Sequence, residues 1–446
     1  MKLDDQALPA IAAVPAAVPA STSTSIMRIA LISDHASPLA SPGSIDCGGQ
    51  NVYVAHLARE LAIGGHLVDV FTRRDAIGQK QLVRWRDNIR VINVPAGPAH
   101  HVPKEQLLPY MQAFARFTTR FARHQQAMYD IVHANFFMSG MVAQHLRQTL
   151  GIPFVVTFHA LGQVRRMAQG VADAFPPARM RIETLLMQQA DRVIAECAQD
   201  RLDMEQLYGA SPARIAVAPC GFDPGELWPQ DQREARSLLG LPANKFTVLQ
   251  LGRMVPRKGV DTVIQATALL RSQHGIDAQL LVVGGDIHAA GRDGPEMARL
   301  HALAERLGIS GHVRFVGQKP RAELRTWYSA ADVFVTTPWY EPFGITPVEA
   351  MACARPVVGS EVGGIKSTVV DGSTGFLVPS RDPKAVADRL ATLQRNPLLA
   401  RSMGDAGLRR AYRHYTWRSV AQQVAAVYAA VLAEAQSRAP IHLSQP

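Results

Sequence analysis

Short apolar runs alternate with helical stretches along almost the whole chain, and the alternation runs through twice. Arg28–Ser33 is an apolar run. A Gly/Pro/Ser loop follows, then a helical pattern from about Gly49 to Ile63, which Gly64-Gly65 stops before the next run, His66–Thr72. Strand, helix, strand in that order predicts a parallel sheet, because parallel neighbours need a long crossover to bring the chain back. A hairpin over Gln81–Val94, turning at Asp87-Asn88, a helix over about Pro103–Ala127 and further strand–helix pairs lead to Ile215–Val217. Residues 221–245 carry prolines and turn signals and read as a linker. The alternation restarts at Phe246.

The expectation is an α/β chain of two Rossmann-like, doubly wound parallel-sheet domains, 27–220 and 246–415, facing each other across a cleft. A last helix, about 416–435, is expected to pack back on the first domain. Residues 1–26, rich in Ala, Pro, Ser and Thr, and 436–446 read as a disordered leader and tail. Met1-Lys-Leu-Asp-Asp is a poor start for a secretion signal, and Pro9, Pro15 and Pro19 interrupt any apolar core of one.

Composition narrows the function. Apolar residues make 47% and charged residues 19%, which excludes disorder of the whole chain. No apolar run approaches the roughly 18 residues of a membrane helix. Lys and Arg number 47 against 37 Asp and Glu, a net +10 that favours anionic partners. The excess is spread evenly, without the basic arm or stripe of a nucleic-acid binder. It reads as solvated surface plus a cleft for phosphates, with peripheral contact at the inner membrane surface left open. Cys47, Cys197, Cys220 and Cys353 lie far apart, with neither zinc-ligand spacing nor a disulfide framework. A reducing, cytoplasmic setting follows.

Three loops carry the chemistry. In Asp46-Cys-Gly48-Gly49-Gln50-Asn51 the paired glycines sit after the first strand and open a helix, where backbone can approach a phosphate. Gly252-Arg253-Met-Val-Pro-Arg257-Lys258-Gly259 sits at the same place in the second half, and a guanidinium and an ammonium there can hold a diphosphate. Trp339-Tyr-Glu341-Pro-Phe343-Gly344-Ile345-Thr-Pro-Val-Glu349 follows the Val333–Thr336 run. Phe343, Gly344 and Ile345 offer amides at a helix start, and a carboxylate beside a sugar accepts hydrogen bonds from its hydroxyls. Singly, each reads as a turn, a pair of surface charges or dipole compensation. In this order and context they do not.

Together with His159, this set resembles the family 4 ("group 1") glycosyltransferases of the GT-B fold over about Met27 to Ala435. Within that family the chain most resembles the sucrose-phosphate synthases and the inositol-phosphate N-acetylglucosaminyltransferases of mycothiol synthesis. Asp46–Tyr53, Val68–Arg74, Pro103–Leu107, His159-Ala-Leu-Gly162 and Asp371–Leu377 add to the likeness.

The resemblance implies a retaining, metal-independent hexosyltransferase with no cofactor, using a nucleotide-diphosphate sugar, UDP favoured. Glu349 would bind the ribose hydroxyls. Glu341 would face the donor sugar, with Arg253 and Lys258 on the diphosphate and Gly48 and Gly49 approaching from the other domain. Gly317 would lie under the base, and His159 beside the anomeric carbon. Gln50, Asn51, Lys104 and Arg179 would bind the acceptor, a small sugar or polyol, free or phosphorylated. Phe136 and Ala160 stand where the inositol-phosphate enzymes have a Tyr and a Thr, and both changes delete a hydroxyl. A lipid-linked or polysaccharide acceptor, a GT-B epimerase and a non-catalytic nucleotide-sugar sensor are the rival readings.

Overall fold

The computed structural model describes residues 25–40, 48–170, 173–285 and 294–438. The expected leader and tail, and Cys47, fall almost wholly or wholly outside these.

The first domain holds strands β1 (Arg28–Ile32), β2 (Leu67–Arg73), β3 (Leu82–Arg86), β4 (Ile89–Val94), β5 (Ile131–Asn135), β6 (Phe154–Thr157), β7 (Arg192–Ala195) and β8 (Ile215–Val217). Between them run helices α1 (Gly49–Ile63), α2 (Met111–Arg123), α3 (Phe137–Leu150), α4 (Gly162–Gln169), α5 (Ala178–Gln189) and α6 (Ala198–Tyr208). The strand order is β3-β4-β2-β1-β5-β6-β7-β8, parallel except for β3 at the edge. Asn88, at φ 60°, makes the β3–β4 turn. Strands β1, β5 and β6 are almost wholly buried because helices cover both faces, which is why they read as unbroken apolar runs.

A short helix, α7 (Gln232–Leu238), lies in the linker segment. The second domain has β9 (Phe246–Leu251), α8 (Val260–His274), β10 (Ala278–Val283), α9 (Pro295–Arg306), β11 (Val313–Gly317), α10 (Arg321–Ala330) and β12 (Val333–Thr336). It continues with α11 (Ile345–Ala352), β13 (Val357–Ser360), α12 (Ile365–Thr368), β14 (Gly375–Val378), α13 (Pro383–Arg395) and α14 (Pro397–His414). Its sheet order is β11-β10-β9-β12-β13-β14, all parallel. Both sheets reverse direction of winding beside their first strand, between β1 and β5 and between β9 and β12. Ligands of such sheets bind in the crevice that opens there.

One expected helix is shorter than its pattern. Over Lys104–Gln106 and Leu108–Tyr110 the chain makes two 3₁₀ turns, and the α-helix starts only at Met111. Pro109 has no amide hydrogen, so an α-helix running through it from Pro103 would lose a hydrogen bond, whereas in a first turn the missing donor costs nothing.

The last helix, α15 (Trp417–Arg438), returns to the first domain and packs on α1. The chain thus crosses between domains twice. The crossings are bonded side by side: Phe222 N donates to Tyr415 O at 2.8 Å, and Trp417 N donates to Phe222 O at 3.0 Å. A Cβ on Gly221 would lie 2.8 Å from Tyr415 O, so the close approach needs a glycine there.

Two buried histidines receive α15. His56 stacks on Trp417 at 5.3 Å, and His133 Nδ1 shares a 2.6 Å hydrogen bond with the Tyr428 hydroxyl. Burial above all, then the charges of Arg321 and Arg59, pushes His56 down to about 3; burial, then His159, does the same to His133. A depressed histidine adds stability that is full above about pH 6.5 and is lost as pH falls from there toward 3. The unfolding free energy from urea titration should therefore drop between pH 7 and pH 4, by on the order of a few kcal/mol per histidine. His56→Phe should flatten part of that slope, and an unchanged slope would remove His56 from the cause.

Candidate active site

The donor-side loops lie at the carboxyl ends of β9 and β12. At Gly259, φ 65°, a Cβ would lie 2.0 Å from Thr337 O, so the 252–259 turn closes directly onto the exit of β12. Thr337 Oγ1 donates to Gly259 O at 2.7 Å, and Trp339 N donates to Arg257 O at 2.9 Å. Lys258 and the 339–344 loop are thereby laid side by side.

Lys258 Nζ pairs with Glu341 Oε2. Arg257 Nη1 stands 4.0 Å from the same oxygen and donates to Tyr340 O at 3.3 Å. Burial alone would raise the Glu341 pKa, yet Lys258, Arg257 and Arg253 together hold it below the usual carboxylate value. Burial lowers Lys258, against the pull of Glu341. One carboxylate thus faces three cations, and the surplus charge is positive.

Gly344, φ 87°, precedes α11. Among the described residues no protein acceptor takes the amides of Phe343, Gly344 and Ile345. A Cβ on Gly49 would lie 3.6 Å from Ile345 Cδ1, so the starts of α1 and α11 face each other across the two domains. Further along α11, Glu349 is buried, with Oε1 accepting from Arg321 Nη1 at 3.0 Å and Oε2 from the Tyr328 hydroxyl at 2.8 Å. Arg321 also pairs with Glu226 of the linker.

On the first domain, β5, β6 and β7 end side by side at Asn135, Thr157 and Ala195, with His159 and Glu196 just beyond the last two. His159 Nδ1 lies 2.7 Å from Glu196 Oε1, and its Nε2 lies 2.9 Å from Asn135 Oδ1. A cavity of about 380 Å³ opens between the domains. Asp200, Leu161 and Met167 line it from one side, and Trp339, Tyr340 and Glu341 from the other.

Comparison with known proteins agrees with this geometry. Residues 48–221 match the glycosyl transferase 4-like domain, and 231–410 match the glycosyl transferases group 1. A D-inositol 3-phosphate glycosyltransferase of Kineococcus radiotolerans is 38% identical over 419 residues, covering 91% of this chain and 96% of that protein. D-inositol 3-phosphate glycosyltransferase 2 of Catenulispora acidiphila is 36% identical over 403 residues, covering 90% and 94%. A sucrose-phosphate synthase from Thermosynechococcus elongatus superposes with a TM-score of 0.83 at 33% identity, covering 92% of this chain and 100% of that one. The chain is a group 1 glycosyltransferase. Its two domains have the GT-B arrangement, which it shares with HepE of Anabaena in complex with UDP and glucose, at TM-score 0.70, 22% identity and coverage of 90% and 99%.

In this glycosyltransferase Gly49, Lys258, Glu341, Phe343, Gly344 and Ile345 gather where the two domains meet, and the Arg253 charge acts on Glu341 and Lys258. Gly317, φ 76°, ends β11, and its carbonyl accepts from Gly284 N at 2.9 Å. Gly48 starts α1 with its amide on Asn51 Oδ1 at 3.0 Å, while Asn51 Nδ2 donates to Ser37 O at 3.0 Å. Gln50 Nε2 donates to Ser33 Oγ and Asn135 O, each at 3.2 Å. Gln50 and Asn51 therefore tie the first loop to the ends of β1 and β5. Lys104 is half-buried in the first 3₁₀ turn.

Arg179 is placed less openly than a phosphate ligand needs. Its Nε donates to Glu183 Oε1 at 2.7 Å and its Nη2 donates to Ala160 O. The guanidinium lies 4.8, 5.1 and 4.5 Å from the ring centres of Phe136, Phe137 and Phe175. Its Nη1 is buried without a hydrogen-bond partner among the described residues.

Sequence reasoning missed Arg257, Asn135, Glu196, Arg321 and Tyr328. Arg257 stood in the quoted loop beside Lys258. Asn135 and Glu196 end or directly follow parallel strands, which was the available signal. Arg321 and Tyr328, one helix away from Glu349, gave none. No helix among the described residues is long and apolar enough to cross a membrane.

Proposed function

We propose that this glycosyltransferase moves a hexosyl group from a UDP-sugar to a hydroxyl of a small sugar or polyol, with retention and without a metal ion. The names of the inositol-phosphate relatives and the sucrose-phosphate synthase support the acceptor class, and the UDP-bound Anabaena structure supports the donor. The observation that carries the reading is the positive surplus at Glu341, facing the start of α1. A leaving diphosphate needs that charge compensation, and Arg253, Arg257, Lys258 and the α11 amides supply it where a metal ion would otherwise be required.

The acceptor oxygen bonds to the anomeric carbon as the bond from that carbon to the phosphate oxygen breaks. The acceptor proton passes to the departing β-phosphate on the same face, which leaves the nucleoside diphosphate and a glycoside of unchanged configuration. Glu341 takes hydrogen bonds from the sugar hydroxyls. Glu349 takes the ribose hydroxyls on lone pairs that Arg321 and Tyr328 leave open, since a carboxylate offers about four such sites. On the acceptor side a phosphate reaches Arg179 only if the rings of Phe136 and Phe175 give way, so free and phosphorylated acceptors are distinct cases.

A mass-spectrometric screen of UDP-, GDP- and ADP-sugars against free and phosphorylated sugars and inositols tests the reading. Transfer is expected with a UDP-sugar, unaffected by a metal chelator. Glu349→Ala should raise the donor KM by about tenfold or more, the worth of a buried charged hydrogen bond. An epimerised nucleotide sugar formed with donor alone, or tight donor binding with no transfer to any acceptor, would overturn it.

A further inference from the structure

His159 is held in a conformation it would not adopt freely. Its φ is 58°, a region that costs a non-glycine residue about 1 kcal/mol or more and persists where neighbours over-determine it. Three neighbours do so. Glu196 grips Nδ1 and Asn135 faces Nε2, and the edge of the ring meets Tyr53 at 4.8 Å between centres. Glu196 and Asn135 come from the ends of the two strands that flank β6, so the sheet itself sets their spacing.

The hydrogen bonds fix the protons. A carboxylate oxygen only accepts, so Nδ1 carries a hydrogen toward Glu196. Asn135 Nδ2 donates to Ile32 O at 3.3 Å and His133 O at 3.4 Å, which leaves its carbonyl oxygen toward the ring. That oxygen also only accepts, so Nε2 carries a hydrogen too.

Other titratable groups crowd the same strand ends. Burial, then the Glu196 charge, pushes Asp200 up to about 8 and raises Cys220 and Tyr53 well above their ordinary values. Cys197 rises to about 12, through burial and Asp200, and His133 on the far side is pushed down to about 3. Asp200 and His133 are therefore neutral at pH 7, and the contact at Nδ1 is the one Glu196 makes.

We propose that Glu196 is a positioning residue for His159, taking its Nδ1 hydrogen so that the ring presents Nε2–H to the cleft as a hydrogen-bond donor and not as a base. A sugar hydroxyl or phosphate oxygen then takes the place of the Asn135 carbonyl oxygen at Nε2. This rests on the proposed seat of His159 beside the donor sugar. It agrees with a transfer in which the departing phosphate receives the acceptor proton and no side chain needs to.

Nitrogen-15 spectra of histidine-labelled protein at pH 7, read beside kinetics, test it. In the wild type both ring nitrogens of His159, assigned by loss of the signal in His159→Gln, should resonate as protonated. In Glu196→Gln, a change of one atom, the ring should become a neutral tautomer. Its kcat should fall roughly 10- to 100-fold with donor KM changed less than about threefold, the pattern of an interaction gained in the transition state. A bare Nε2 in the wild type, or a Glu196→Gln enzyme with unchanged ring signals and kcat, would overturn the proposal. Full activity in His159→Ala would instead overturn the seat of His159 beside the sugar. Should Glu196→Ala fail to fold, Glu196→Gln still decides.

Discussion

Lys258→Ala is expected to lower kcat/KM by about 10²–10³-fold, the scale of removing one preorganised group that faces developing charge. The loss has two parts. The ammonium proposed to meet the diphosphate is gone, and Glu341 is left with Arg257, at 4.0 Å, and Arg253 against its buried charge. Because Lys258 and Glu341 share one ion pair, the changes should not add. Glu341→Ala in the Lys258→Ala background should cost far less than in the wild type. Nucleotide release and glycoside formation, followed at saturating acceptor, measure both. Wild-type turnover in Lys258→Ala would remove the lysine from the donor site, and strict additivity would remove the coupling.

Gly363→Ala should damage the same site through its backbone, from the wall of the interdomain cavity. Gly363 has φ 46°, and a Cβ there would lie 1.9 Å from the carbonyl oxygen of Glu341. No side-chain rotation relieves a clash between a Cβ and a backbone atom, so the 341–344 loop or the 361–364 turn must move. Gly364 N donates to that same carbonyl at 3.1 Å, and this bond is strained or lost with it. A destabilisation of about 3 kcal/mol or more is expected, as for other conflicts at special backbone angles. The donor KM should rise as well, since Glu341 shifts with its carbonyl. Urea unfolding and donor titration read the two effects separately. An alanine variant with the wild-type midpoint and KM would show that the loop yields without cost.

The fold was legible because it is written locally. Paired glycines after α1, apolar runs of strand length and the Asp87-Asn88 turn are each readable within a few residues, and their order dictates two parallel sheets. The positions of Arg253, Lys258 and Glu341 followed from the same order, since each sits just beyond a strand. The side-chain pairings were less visible. Glu196 and His159 meet because β6 and β7 are neighbours, and no spacing in the chain says that a carboxylate after one strand will face an imidazole after another. Arg179 and Glu183 stand one helical turn apart, which spacing does show. Their burial beneath Phe136, Phe137 and Phe175 depends on how α5 packs on α3, which it does not. The helix expected from Pro103 illustrates the opposite error, a pattern followed past a proline that would cost it a hydrogen bond.

The paired crossings at Phe222 and Thr416–Trp417 have a mechanical consequence. A single linker would leave the lobes free to tumble, like beads on a thread. Two crossings joined by a backbone bridge resist sliding and torsion more than one thread would. The separation of Gly49 from Ile345, and the placing of the basic trio against the opposite lobe, are therefore constrained at this bridge as well as at the contact itself.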